Sequence, residues 1–172
     1  MDLKSKIRVI EDFPKKGISF KDITTLIKDR EAFQETIDKL AEAIEGIDFD
    51  YFVGIEARGF IFGASLAYKL KKGFIPIRKP GKLPGNIIKE EYDLEYGTNV
   101  IEMDKDSFEK GSKVIIIDDL LATGGTCKAS CDLVEKAGGQ VEALLFLAEL
   151  TGLEARKILE GRKVISLINW EF

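Results

Sequence analysis

VIIIDDLLATGGT, Val114 to Thr126, sets four apolar residues, two adjacent carboxylates and a small-residue loop in unbroken order. Val114 to Ile117 are all β-branched, which suits a strand buried on both faces of a parallel sheet. Asp118 and Asp119 fall at its carboxyl end. In Ala122, Thr123, Gly124, Gly125 and Thr126 the side chains are small enough for backbone N–H groups to approach a phosphate. The apolar pattern then turns helical, so an anion in this loop would rest on a helix N-terminus.

Other strands ending in acids occur in nucleotide hydrolases and in phosphorylated receiver domains. No G-x-x-x-x-G-K-[ST] loop is present, and a receiver would carry its acids near the start of a shorter chain. A plain tight turn would explain the glycines and threonines. It leaves two mutually repelling carboxylates without a purpose.

Outward from this run the chain alternates. Phe33, Ile37, Leu40, Ala41 and Ile44 recur at helical spacing, with Gly46 as a stop. Strands are expected at 51–55, 74–77, 114–117, 141–147 and 164–168, and helices at 60–70, 126–137 and 153–159. This succession predicts an α/β fold: a doubly wound, mostly parallel sheet with helices on both faces, formed by 1–172 as one domain, with ligands beyond the carboxyl ends of the strands.

Composition narrows the chemistry. The chain has 172 residues, a formal charge of −4 and no histidine, so imidazole bases, Ser-His-Asp or Cys-His pairs and histidine-bound metals are excluded. An acidic balance argues against nucleic-acid binding. Without an apolar run of membrane-spanning length or a signal-like N-terminus, the cytoplasm is the expected location. Cys127 and Cys131, four apart on one helix face, read as packing residues.

Three further stretches stand out, the first of them where ligands should gather. After strand 51–55 comes Glu56-Ala57-Arg58-Gly59, where Arg58 offers a planar fork to paired anionic oxygens or, more plainly, an ion pair to Glu56. Residues 78–96, RKPGKLPGNIIKEEYDLEY, have no steady period and read as a long irregular lid carrying Arg78, Lys79 and Lys82, or as a solvated ribbon. Residues 13–24, FPKKGISFKDIT, include Phe20, which, like Leu150, reads on its own as a core residue.

Taken together these stretches resemble type I phosphoribosyltransferases, which use phosphoribosyl diphosphate (PRPP), and most of all the adenine-using branch of that family. The match carries DDLLATGGT, EARGF, RK-x-GKLPG, LEYG and the N-terminal FP-x-x-G segment, in family order, from Phe13 to about Leu153. It implies transfer of the phosphoribosyl group to adenine, giving AMP and diphosphate, or else transfer to another purine such as xanthine, or a non-catalytic PRPP-binding regulator. By the same resemblance, Asp118 and Asp119 face the ribose hydroxyls and Ala122 to Thr126 wrap the 5′-phosphate. Glu56, Ala57, Arg58, Arg78, Lys79 and Lys82 surround the diphosphate. Ser19, Phe20, Lys21 and Leu150 hold adenine. Glu95 manages a purine proton beside Tyr96, and both join Arg58 as catalytic residues. Magnesium arrives with PRPP rather than on protein ligands, and a homodimer is implied. The chain departs from its relatives at Glu56 and Ala57, where Asp and Ser are common, at Pro80, and at Ser19 and Lys21.

Overall fold

Three strands are each apolar on both sides, and this sorts the interior into two cores. In the computed structural model, which describes residues 1–94 and 97–172, these are β3 (Tyr51–Ile55), β7 (Lys113–Leu121) and β8 (Gln140–Leu150). Phe52, Ile115, Ile117, Leu145 and Leu147 point into one core. Val53, Ile55, Val114, Ile116, Leu144 and Phe146 point into the other. With β4 (Gly73–Ile77) and β9 (Val164–Trp170) they form a five-stranded, wholly parallel sheet in the order β4-β3-β7-β8-β9. Parallel strands need helical crossovers, and these cover the two faces.

On the first face lie α2 (Arg30–Ala43) and α3 (Gly59–Leu70), which bury Leu40, Phe62 and Leu66. Asp29 starts α2 by accepting the N–H groups of Glu31 and Ala32. On the second face lies α4 (Gly125–Lys136), with Leu133 and Val134 enclosed. Before the sheet, β1 (Arg8–Ile10) pairs antiparallel with β2 (Phe20–Asp22), and the short α1 (Thr24–Ile27) leads on to α2.

The structure corrects the expected elements in three places. The motif strand does not stop at Ile117. β3 leaves it after the Gly54–Ile117 pair, but β8 continues beside it as far as Leu121 and Glu149, so β7 overhangs on one side and carries both aspartates within it. Residues 78–96 are not one irregular lid: β5 (Ile87–Leu94) pairs in continuous antiparallel register with β6 (Gly97–Asp104), a strand that the sequence reading omitted. Ile88, Ile101 and Met103 anchor this hairpin to the second core, while its charged residues obscure the period. The expected helix at 153–159 is instead two 3-10 turns, Thr151–Leu153 and Ala155–Lys157, parted by Glu154 at φ 56°, a left-handed conformation that no α-helix can pass through.

Candidate active site

The overhang of β7 builds the centre of the site. Asp119 is 5% exposed and accepts a hydrogen bond from Arg58 Nε at 2.6 Å. Arg58 comes this close because Gly59 has no side chain: a Cβ there would lie 2.9 Å from the Ile117 carbonyl oxygen and 3.1 Å from the Asp118 carboxylate. Asp118 Oδ1 takes the Asp119 backbone N–H at 2.8 Å. Burial, and then the neighbouring Asp119 charge, push the Asp118 carboxyl well above the usual range. Burial works against the Arg58 charge, but Asp119 and Asp118 outweigh it, and its pKa rises. The plain alternative of an Arg58–Glu56 ion pair is therefore replaced by one with Asp119.

Glu56 has other partners. It accepts Arg78 Nε at 2.9 Å, Lys79 N–H at 3.1 Å and Lys82 Nζ at 2.5 Å. Burial raises its pKa, but Lys82, the Lys79 N–H and Arg78 together hold it down at about 2. Its two oxygens are committed to holding cations in place, which suits it poorly to direct contact with an anion. Ala57 follows, through a cis peptide. Glu102 adds a second tether, accepting the Gly81 N–H at 3.0 Å, while its backbone bridges to Arg78. A cavity of about 220 Å³ opens between Glu56, Arg78, Lys79, Tyr92, Asp118 and Thr126.

At the small-residue loop, Gly124 turns at φ 93° and α4 begins at Gly125 with neither a side-chain cap nor an acid in its first turn. Uncapped N–H groups at a helix start are suited to an anion. A cavity of about 90 Å³ beside them is lined by Asp118, Ala122, Thr123, Gly124, Thr126 and Cys127. Cys127 and Cys131 are both buried, as packing residues would be.

The N-terminal strands reach the same edge of the sheet. Lys21 Nζ bonds Ser19 Oγ at 2.8 Å and sits 5.2 Å above the Trp170 ring, and Trp170 pairs with Leu150. Phe20 and Leu150 are each half-buried, so neither belongs to the enclosed core. Phe20 packs edge-on against Phe13 at 5.1 Å. Glu95 and Tyr96 lie outside the described residues. Sequence reasoning missed Asp22, which holds Arg8, and Tyr92, which bonds Thr126. Only the alternation of Ile88, Glu90 and Tyr92 could have signalled the latter as a strand residue.

The phosphoribosyl transferase domain family matches residues 22–172. The chain belongs to the phosphoribosyltransferase family. It is 61% identical over 168 residues to the adenine phosphoribosyltransferase of Thermosipho africanus, covering 98% of this chain and 99% of that one. It is 57% identical over 171 residues to that of Clostridium perfringens, covering 99% of each. Among solved structures, the adenine phosphoribosyltransferase of Thermoanaerobacter pseudethanolicus superposes with a TM-score of 0.96 at 56% identity, covering 98% of both chains. The Saccharomyces cerevisiae enzyme, solved with adenine and an imino-altritol bisphosphate, gives 0.90 at 40% identity, covering 96% of both. The parallel sheet is thus that of a phosphoribosyltransferase, and the chain is an enzyme of the transferase class.

Proposed function

We propose that this phosphoribosyltransferase, acting through 1–172 as one domain, joins adenine N9 to C1′ of PRPP. The C1′–oxygen bond breaks with its electron pair leaving on diphosphate, the N9 proton is lost, and AMP is the product. One observation carries the chemistry: two carboxylates on the overhang of β7 flank an uncapped helix start, and one of them, Asp119, holds Arg58. Carboxylates accept hydrogen bonds from ribose hydroxyls and repel phosphate, whereas the loop does the reverse. Adenine as the base rests on the full-length relatives and on the adenine held by the yeast enzyme.

In this assignment Asp118 and Asp119 receive the ribose hydroxyls, Ala122 to Thr126 wrap the 5′-phosphate, and Arg58, Ala57, Arg78, Lys79 and Lys82 meet the diphosphate. Glu56 acts indirectly, by aiming three of those groups. Phe20 and Leu150 sandwich the purine ring, the backbone at Ser19 and Lys21 reads its edge, and Glu95 beside Tyr96 handles its proton. Holding both substrates in line lowers a barrier by about 7–11 kcal/mol, more than one acid or base supplies.

The donor set fits magnesium that travels with the substrate, since the described residues contain no cluster of three acids, cysteines or histidines and Asp119 is already paired with Arg58. Bound there, the ion would neutralise diphosphate charge as it builds up on the leaving group. A homodimer is part of the same proposal. So is a cytoplasmic location, to which the described residues bring no helix long and apolar enough to cross a membrane.

The test is incubation of the purified protein with PRPP, magnesium and each of adenine, hypoxanthine, guanine and xanthine, followed by chromatography. AMP from adenine alone is the expected result. A different nucleotide would overturn the base, and PRPP binding without any nucleotide would indicate a regulator.

A further inference from the structure

Tyr92 lies on β5, outside every role assigned above, yet its hydroxyl reaches the small-residue loop. It accepts hydrogen bonds from Thr126 Oγ1 at 2.8 Å and from Asn99 Nδ2, on the paired strand, at 3.2 Å. Its ring rests against the start of α4, where a Cβ on Gly125 would meet it at 3.4 Å. Two residues earlier on the same strand face, Glu90 pairs with Lys136, the last residue of α4. β5 therefore lies along the whole helix, and Tyr92 is its contact with the end that receives an anion.

The direction of these bonds matters. A threonine hydroxyl has a single proton and can also accept one, so at 2.8 Å it can bond Tyr92 in either direction. An anion in the loop draws that proton to itself, leaving the Thr126 oxygen free to accept the proton of Tyr92. The chain then runs Asn99 to Tyr92 to Thr126 to phosphate, each bond polarising the next.

We infer that Tyr92 is a positioning residue which couples occupancy of the loop at 122–126 by a phosphate monoester to docking of the β5–β6 hairpin. Reciprocity requires that each then strengthen the other. The inference rests on the 5′-phosphate assignment of that loop.

Tyr92→Phe keeps the ring and removes only the relay. Ribose 5-phosphate should bind this variant about 3- to 10-fold more weakly, the effect of one lost hydrogen bond, while adenine affinity stays unchanged. Ribose 5-phosphate should slow amide hydrogen exchange in 87–94 of the wild type and do so much less in the variant. Asn99→Ala should shift both readouts the same way by a smaller amount, and Thr126→Ser, which keeps the hydroxyl, should preserve the coupling. Equal slowing in Tyr92→Phe, or unchanged ribose 5-phosphate affinity, would overturn the inference. A wild type that fails to bind ribose 5-phosphate would overturn the loop assignment beneath it. Ribose 5-phosphate binding without AMP formation would instead fault the proposed activity and leave the coupling standing.

Discussion

At the scale of single residues, the site holds groups that work against the folded state. Asp118 and Asp119 are neighbours in one strand, and burial with the adjacent charge raises the Asp118 pKa although Arg58 lies close by. A carboxylate kept in so unfavourable a place is expected to serve a ligand rather than the fold. Asp118→Asn retains the oxygen that accepts the Asp119 N–H and removes the repulsion. Its melting temperature at neutral pH should equal or exceed that of the wild type, while the KM for PRPP rises about 10- to 150-fold, the effect of losing one charge-assisted hydrogen bond. Calorimetry and steady-state kinetics on the same preparation would check both. Loss of stability with unchanged KM would make Asp118 a structural residue.

At the scale of elements, the segment between β4 and β5 has no regular structure of its own and is held by Glu56 through Arg78, Lys79 and Lys82. The folded Glu56 carboxyl titrates at about 2 against an ordinary 4.5. A depressed carboxyl pKa means stability that is complete above 4.5 and is lost as pH falls from there towards 2. Glu56→Gln should melt lower than the wild type by roughly 2–4 °C at pH 7, the change that about 1 kcal/mol makes in a domain of this size. That gap should close as the pH approaches 2. Asp22, likewise held at about 2 by Thr24 and Arg8, leaves a residual acid sensitivity in the variant. A gap constant from pH 7 to pH 2 would show that the ion pairs contribute nothing.

At the scale of the whole molecule, α3 presents Tyr68, 90% exposed. Exposed aromatics of this kind are enriched at protein–protein contacts, in keeping with the proposed homodimer. Light scattering should return twice the chain mass, and Tyr68→Asp should shift the population towards monomer. A wild-type monomer would refute the proposal. What the amino-acid order determined unaided was written in short-range pattern: the five strands of a mostly parallel sheet, because short apolar runs alternating with helical stretches suit strands covered on both faces, and the sequence of acids, glycines and helix start at 118–126. The tertiary structure decided the partners. Arg58 chose Asp119 over the nearer-in-sequence Glu56 because β7 overhangs β3 and Gly59 allows the approach. Charged residues 87–104 became a hairpin because three apolar side chains found the second core, and Tyr92 met Thr126 because that hairpin lies along α4. Such contacts join residues far apart in the chain, where no local periodicity records them.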